Sequence, residues 1–249
     1  EALEEIYELN HRKTSLFNKL RTKLFAYLSI DDYDQVIEDV YNDKISPTKI
    51  PSDLFNNTYN ELNKQVDDAF GKVKYGDDNY DLANALRKDA AKFSTFKNYQ
   101  YLAELEDKKV DKTTGEVYSE KDYKKIAKGV YWKHQNYAEA EKDLAYKTAD
   151  MAVKWQDFEK TKHLYPNLEY RPSRAAEPRE EHKAYYGLIK PIDDDIWNSI
   201  LPPNGYGCSC SVRKTRKEAD TKNYEPLETK PGIVGNGAKE KRLFARNHS

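Results

Sequence analysis

Apolar residues recur every three or four positions through the first two thirds of the chain, and then the recurrence stops. Leu3, Ile6, Leu16, Leu20, Leu24 and Leu28, with Phe17 beside them, fall near one helical face. After a break around residues 31–33, Val36, Ile37, Val40 and Tyr41 continue the spacing, so residues 1–44 read as helix. Ser46-Pro47 and Pro51-Ser52 punctuate the chain. Ser52 is placed to cap a second helix, in which Phe55, Tyr59, Leu62, Val66 and Phe70 form a stripe that reads as core. Residues 71–80 are polar and turn-like. Leu82, Leu86, Phe93, Phe96 and Leu102 carry a third helical pattern, with a break expected near Ser94.

Residues 108–118 read as a hairpin or an exposed loop, because a polar Asp-Lys-Thr-Thr-Gly-Glu run separates Val110 from Val117. Ser119 followed by Asp122 has the form of a capping box. It opens the longest periodic stretch, from Tyr123 through Ala127, Val130, His134, Ala138, Leu144, Thr148, Met151 and Trp155 to Phe158. Unbroken to residue 160, such a helix would approach about 60 Å. His134 sits on its apolar face and reads as a packed, hydrogen-bonded core histidine rather than a ligand.

Beyond Thr161 the character changes. Prolines stand at 166, 172, 178, 191, 202 and 203, and helical periodicity is lost. Residues 168–170 suit a short strand and 180–186 a short helix. The expected fold class is mainly α. An amphipathic helical body over residues 1–160 precedes a small α+β unit over 161–213, and a basic, extended tail over 214–249 follows.

Composition agrees with slender helices. Apolar residues make up 38% and charged residues 34%, against roughly 45–50% and 25% in a typical domain. Mean hydropathy is −1.00. Twenty tyrosines and eight phenylalanines supply much of the apolar area, and a tyrosine can bury its ring while its hydroxyl stays wet. The net charge of −1 demands no nucleic acid, but residues 205–249 carry ten Lys/Arg against five Asp/Glu. Arg213, Lys214, Arg216 and Lys217, with Lys239, Lys241, Arg242 and Arg246, are candidates for nonspecific DNA contact; a solvated basic tail is the plainer reading. Two cysteines exclude a secreted disulfide framework. No apolar run approaches the roughly 20 residues of a membrane span, and a start at Glu1 reads as a trimmed end. The expected setting is a reducing cytoplasm or a particle assembled in one.

The least generic stretch is 201–213, Leu-Pro-Pro-Asn-Gly-Tyr-Gly-Cys-Ser-Cys-Ser-Val-Arg, which holds both cysteines. Two prolines fix φ, Asn204-Gly205 favours a tight turn, and Gly207 can take positive φ. A rigid elbow presenting Cys208 and Cys210 is expected. With His182 these are zinc-type donors, and Asp194 or His163 could complete the set. Cys-x-Cys is tighter than the usual Cys-x(2–4)-Cys knuckle. The plainer reading is that the cysteines are small buried hydrophobes, with His182 and Asp193, Asp194 and Asp195 bonding loop amides. A Cys208–His182 nucleophilic dyad is a third reading, but nothing marks an oxyanion hole.

The chain resembles the phage Mu F-like family of head morphogenesis (minor head) proteins. The resemblance is carried by Leu-Tyr-Pro-Asn-Leu-Glu-Tyr at 164–170, by Arg179, His182, Gly187, the acids at 193–195 and Trp197, and by Pro202, Pro203, Asn204, Gly205, Cys208 and Cys210. Three positions depart from the family pattern: Glu177 or Ala175 where an acid is expected, Tyr186 for the Asp before the glycine, and Ser209 for the Arg between the cysteines. Tyr170, Arg179, Gly187, Trp197, Pro202, Pro203 and Gly205 are then structural motif positions. The resemblance implies a non-enzymatic phage or prophage minor head protein in the virion, near the portal, acting in head morphogenesis, DNA packaging or early DNA delivery. Implied partners are the portal or major capsid protein, packaged DNA, and copies of itself in a small homo-oligomer. The competing reading is a metal-dependent enzyme or the carrier domain of a phage-derived toxin.

Overall fold

The computed structural model describes residues 30–228 and 230–245; the leucine series from Leu3 to Leu28 lies outside them. Five helices come first: α1 (Ile30–Tyr41), α2 (Ser52–Phe70), α3 (Tyr80–Asp107), α4 (Glu120–Asn136) and α5 (Ala138–Thr161). Short elements follow: β1 (Asn167–Arg171), α6 (Glu180–Lys183), β2 (Ile189–Pro191), α7 (Trp197–Ile200), β3 (Ser211–Thr215) and α8 (Gly237–Glu240). The fold is mainly α, with a small antiparallel sheet toward the C-terminus, as the periodicity predicts.

The described residues condense into two compact units, 30–59 with 94–139 and 60–93 with 140–245. This division differs from the one expected at residue 160. Loss of helical periodicity at 161 marks where long helices end, whereas compaction depends on which helices share a core. Consequently α2 and α3 each contribute one part to each unit, and α5 belongs with the sheet.

In the first unit, Tyr33, Val36, Ile37 and Val40 of α1 meet Tyr101, Leu102 and Leu105 of α3 and Tyr123, Ala127, Val130 and Tyr131 of α4. Paired rings build much of this core: Tyr33 lies on Tyr131 at 4.0 Å and Tyr41 on Tyr123 at 5.4 Å. The Tyr123 hydroxyl donates to the Leu105 carbonyl (3.1 Å) and the Tyr41 hydroxyl to that of Tyr118 (2.9 Å). Burial pushes the Tyr131 hydroxyl up to about 12 and raises Tyr33, Tyr101 and Tyr123 further, so all four stay protonated. The buried line on α2 begins at Leu54 and Thr58, one position from the Phe55–Tyr59 stripe read in the sequence; those two rings stack on each other at its edge.

Two expectations about helix continuity are corrected. α3 runs through Ser94 without a break, because Ser94 is buried and its carbonyl accepts from the Asn98 side chain. The long helix after Ser119 does break: Tyr137 separates 17-residue α4 from 24-residue α5, its amide turned to the Gln135 carbonyl. Asn136 is a weak helix former, and the two helices serve different units. The capping box holds, with Ser119 Oγ accepting from the Asp122 amide at 3.2 Å and donating to its carboxylate at 2.8 Å. Residues 108–118 close as a minimal hairpin, a single Val110–Val117 bridge behind an exposed tip.

In the second unit β1 is the central strand, flanked by β2 and β3. Leu168 and Tyr170 are fully buried on one face. On the other, Glu169 stands directly opposite Arg213. The C-terminal segment is not the extended tail expected over 214–249. Residues 216–228 form neither helix nor strand, but Ile233, Val234, Leu243 and Phe244 are buried. The Phe244 ring stacks on Phe93 at 3.9 Å, and the Asp89 carboxylate accepts from the amides of Leu243 (2.9 Å) and Phe244 (3.2 Å). Asn236 caps α8 through the Ala238 and Lys239 amides. Apolar side chains too sparse to show periodicity still suffice to dock a segment when each is covered.

Candidate metal centre at the C-terminal elbow

The elbow is built from β1, the turn after β2, and the run from α7 to β3. Gly187, at φ +81°, turns the chain out of α6 so that its amide reaches the Tyr170 carbonyl and the Tyr170 amide reaches Leu188. After β2, Asp194 accepts from the Ile196 amide, and Trp197, fully buried, donates its indole N–H to the Pro191 carbonyl at 2.7 Å. α7 then delivers Leu201, Pro202 and Pro203, with a cis peptide between the prolines.

Asn204 is 4% exposed, and its side-chain amide donates to the Ile200 carbonyl (2.7 Å) and the Tyr170 hydroxyl (3.1 Å). It ties the elbow to the central strand. Gly205 takes φ +152°, a conformation that favours glycine, and a Cβ there would press at 2.7 Å on the Arg179 guanidinium, whose other nitrogen donates to the Tyr206 carbonyl at 2.7 Å. Gly207, at φ +72°, makes the final turn before Cys208, as its position in the sequence predicts.

The structure brings His182, on α6, against both cysteines. Its Nδ1 lies 3.8 Å from Cys208 Sγ and 3.7 Å from Cys210 Sγ. All three residues are buried, and their donor atoms lie within 4.8 Å of one another. Both thiols are free. Cys210, donating to the Cys208 sulfur, holds the Cys208 thiol well below its ordinary value; His182 and the amides of Asn204 and Cys210 add to this and outweigh burial. The same neighbouring sulfur, with burial, drives the Cys210 thiol upward. Tyr170 and Tyr186 approach Cys210 with their hydroxyls.

Neither proposed fourth ligand joins the cluster. Among the described residues it consists of His182, Cys208 and Cys210. Asp194 serves its own turn, and His163 is exposed at the end of α5. Asp193 pairs with Lys162, and Asp195 accepts from Asn198.

The four basic residues named for nucleic-acid contact have partners within the chain. Arg213 forms a two-pronged pair with Glu169 (3.1 and 2.9 Å), and Lys217 lies 3.5 Å from the same carboxylate. Lys214 bonds Asp157 at 2.7 Å. Arg216 donates to the Leu164 carbonyl and covers the Tyr165 ring. Glu169 is buried. Burial alone would raise its carboxyl, but Arg213 and Arg171 hold it below the ordinary carboxylate value.

Sequence reasoning did not single out Glu169, Asn204 or Asp89. The alternation Leu-Glu-Tyr does place Glu169 opposite the core face of β1, which was the available signal. Asn204 stood in the family motif and carried a turn signal, neither of which marks its bond to Tyr170, and no local pattern marks Asp89 as a clamp.

His134 is placed as expected: its Nε2 lies 3.0 Å from Glu104, its ring is against Tyr101, and burial lowers its pKa.

Residues 60–213 match the family described as Phage Mu protein F like protein. The match ends inside β3, so it takes in the whole elbow. Over 67 residues, 27% of this chain, the sequence is 33% identical to a protein described as putative capsid assembly protein F of Escherichia phage Mu. The matched part spans only 15% of that relative's length. No solved structure matches the chain.

Proposed function

The chain belongs to the Phage Mu protein F like family, and from that premise we propose that it is a minor head protein of a phage or prophage. It attaches to the head beside the portal and acts in head morphogenesis, DNA packaging or early DNA delivery. The observation that carries this reading is the match over residues 60–213, which runs from the middle of α2 through β3 and so includes both the helices and the elbow. The capsid-assembly description of the phage Mu relative supports it.

The role is structural rather than catalytic. The elbow is a packed joint: Trp197, Asn204 and Arg179 are each held by backbone carbonyls, an arrangement that fixes a shape. No helix among the described residues is long and apolar enough to cross a membrane. The partners of this reading are portal or major capsid protein, with packaged DNA close by. Exposed Phe96, Tyr99, Tyr137 and Tyr146 offer aromatic contact area to such a partner or to a second copy.

The test is a nonsense mutation in the coding gene, with mass spectrometry of purified particles. The chain is expected in wild-type particles at low copy, and the mutant is expected to give defective heads or heads that fail to deliver DNA. Normal, infectious particles formed without the chain would reject the reading.

A further inference from the structure

We propose that His182, Cys208 and Cys210 bind one zinc-type divalent ion, which fastens α6 to the elbow and shapes the sheet region of the second unit. This goes beyond the head-protein reading and does not depend on it.

The first argument is geometric. For bond lengths of about 2.3 Å to sulfur and about 2.1 Å to nitrogen, a tetrahedral site has sulfur–nitrogen edges of about 3.6 Å. The two edges here are 3.8 and 3.7 Å, and both converge on the same ring nitrogen. Cys208 and Cys210 leave the turn at residues 205–207, and their sulfurs and the imidazole donor atom lie within 4.8 Å of one another. Tight Cys-x-Cys spacing is therefore no obstacle to presenting both sulfurs to one point.

The second argument is energetic. His182 is 2% exposed, and its outer nitrogen, Nε2, is buried without a hydrogen-bond partner. Thiols are weak donors and acceptors, so two long sulfur contacts return little of the cost of burying an imidazole. A metal bond to Nδ1 gives that nitrogen the strong partner the sulfurs do not supply, with Nε2 unpaired in either case, and thiolate with imidazole is the donor set that selects zinc over magnesium or calcium. The pocket is also held from outside the cluster. Gly207 turns the chain into Cys208, Arg179 clamps Tyr206, and Asn204 fixes the elbow to Tyr170. A water would complete the fourth position.

The experiment uses the full chain purified under reducing conditions without chelator. Elemental analysis is expected to find one zinc per chain. After stripping, anaerobic cobalt titration should produce sulfur-to-cobalt charge-transfer absorption and the intense ligand-field bands of a tetrahedral site, saturating at one cobalt per chain. Cys210→Ser should lose most of the charge-transfer intensity, and His182→Ala should weaken cobalt binding. Because such variants can unfold, the stripped wild-type chain is the reference. Its melting temperature should fall on chelation and recover with zinc but not with magnesium. A metal-free preparation with featureless cobalt spectra and a melting temperature indifferent to chelator would overturn the proposal. So would a Cys210→Ser chain that stays folded and keeps the wild-type cobalt spectrum.

Discussion

The core of the first unit and the elbow of the second solve the same problem with different chemistry. Around Leu102, order comes from area: tyrosine rings and aliphatic side chains close on one another, and the Tyr123 and Tyr41 hydroxyls reach backbone carbonyls. Around Cys208, order comes from points of attachment: an indole on Pro191, an amide on Ile200, a guanidinium on Tyr206, a carboxylate between Arg171 and Arg213. Apolar area is non-directional and forgives small shifts, whereas hydrogen bonds and metal–ligand bonds fix distance and angle. The elbow also buries aliphatic residues, among them Leu168, Leu188, Ile192 and Ile200, and the directional contacts add a fixed geometry to that packing.

The contrast can be broken most directly at Leu102. Leu102→Ala should destabilise the first unit by about 2–5 kcal/mol, because a fully buried Leu leaves a cavity as well as losing its transfer energy. Urea denaturation followed by tyrosine fluorescence would read it; a cost below that range would mean that the aromatic pairs hold this core without their aliphatic neighbours.

Glu169→Gln should cost about 1–3 kcal/mol, since it leaves Arg171 and Arg213 without their anion at a buried position. The half-exposure of Arg213 keeps the value at the lower end. Hydrogen exchange in β1 and β3 should rise while α1 and α4 stay protected. Uniformly raised exchange in both units would show that the two regions do not differ as described.

A smaller effect, about 1 kcal/mol, is expected for Ser119→Ala, which removes the acceptor for the Asp122 amide at the start of α4. Helical circular dichroism during thermal melting would register it, and Ser119→Asp should restore most of the loss.

The smallest contrast is in pH. Burial lowers His134 below its ordinary value of 6.5, so in acid the unfolded chain takes up that proton first. Burial would raise Glu104, but Lys133 and His134 together hold it below its ordinary 4.5. Both shifts are downward. Stability from either group is complete above its unfolded value and is lost as pH falls through its folded value. Denaturation midpoints should be flat above about pH 7 and decline toward acid, and Glu104→Gln should lose the part of the decline below about pH 4.5 that belongs to the carboxylate. Equal slopes for the two proteins would remove this pair from the account.

Much of this organisation is legible from local pattern. Residues that repeat every three or four positions mark α1 to α5, Ser119 with Asp122 marks the start of α4, and Gly207 marks the turn into Cys208. Each of these depends on neighbours within a turn or two, so one stretch of sequence contains the whole cause. The continuous helix to residue 160 failed for the same reason inverted. Periodicity is indifferent to which core a face is buried against, and at Tyr137 the face changes units.

By itself the sequence determined the helical class, the family, and the residue types able to hold a soft metal ion, because periodicity, spaced motif residues and donor chemistry are properties of the chain. Only the tertiary structure decided that His182 meets both sulfurs while Asp194 and His163 do not, that Glu169 gathers Arg171, Arg213 and Lys217, and that Asp89 holds the C-terminal segment. Apart from Glu169 with Arg171, those pairings join positions from 26 to 155 residues apart. Their energy is realised only when distant segments share one surface, and nothing local in the chain records that meeting.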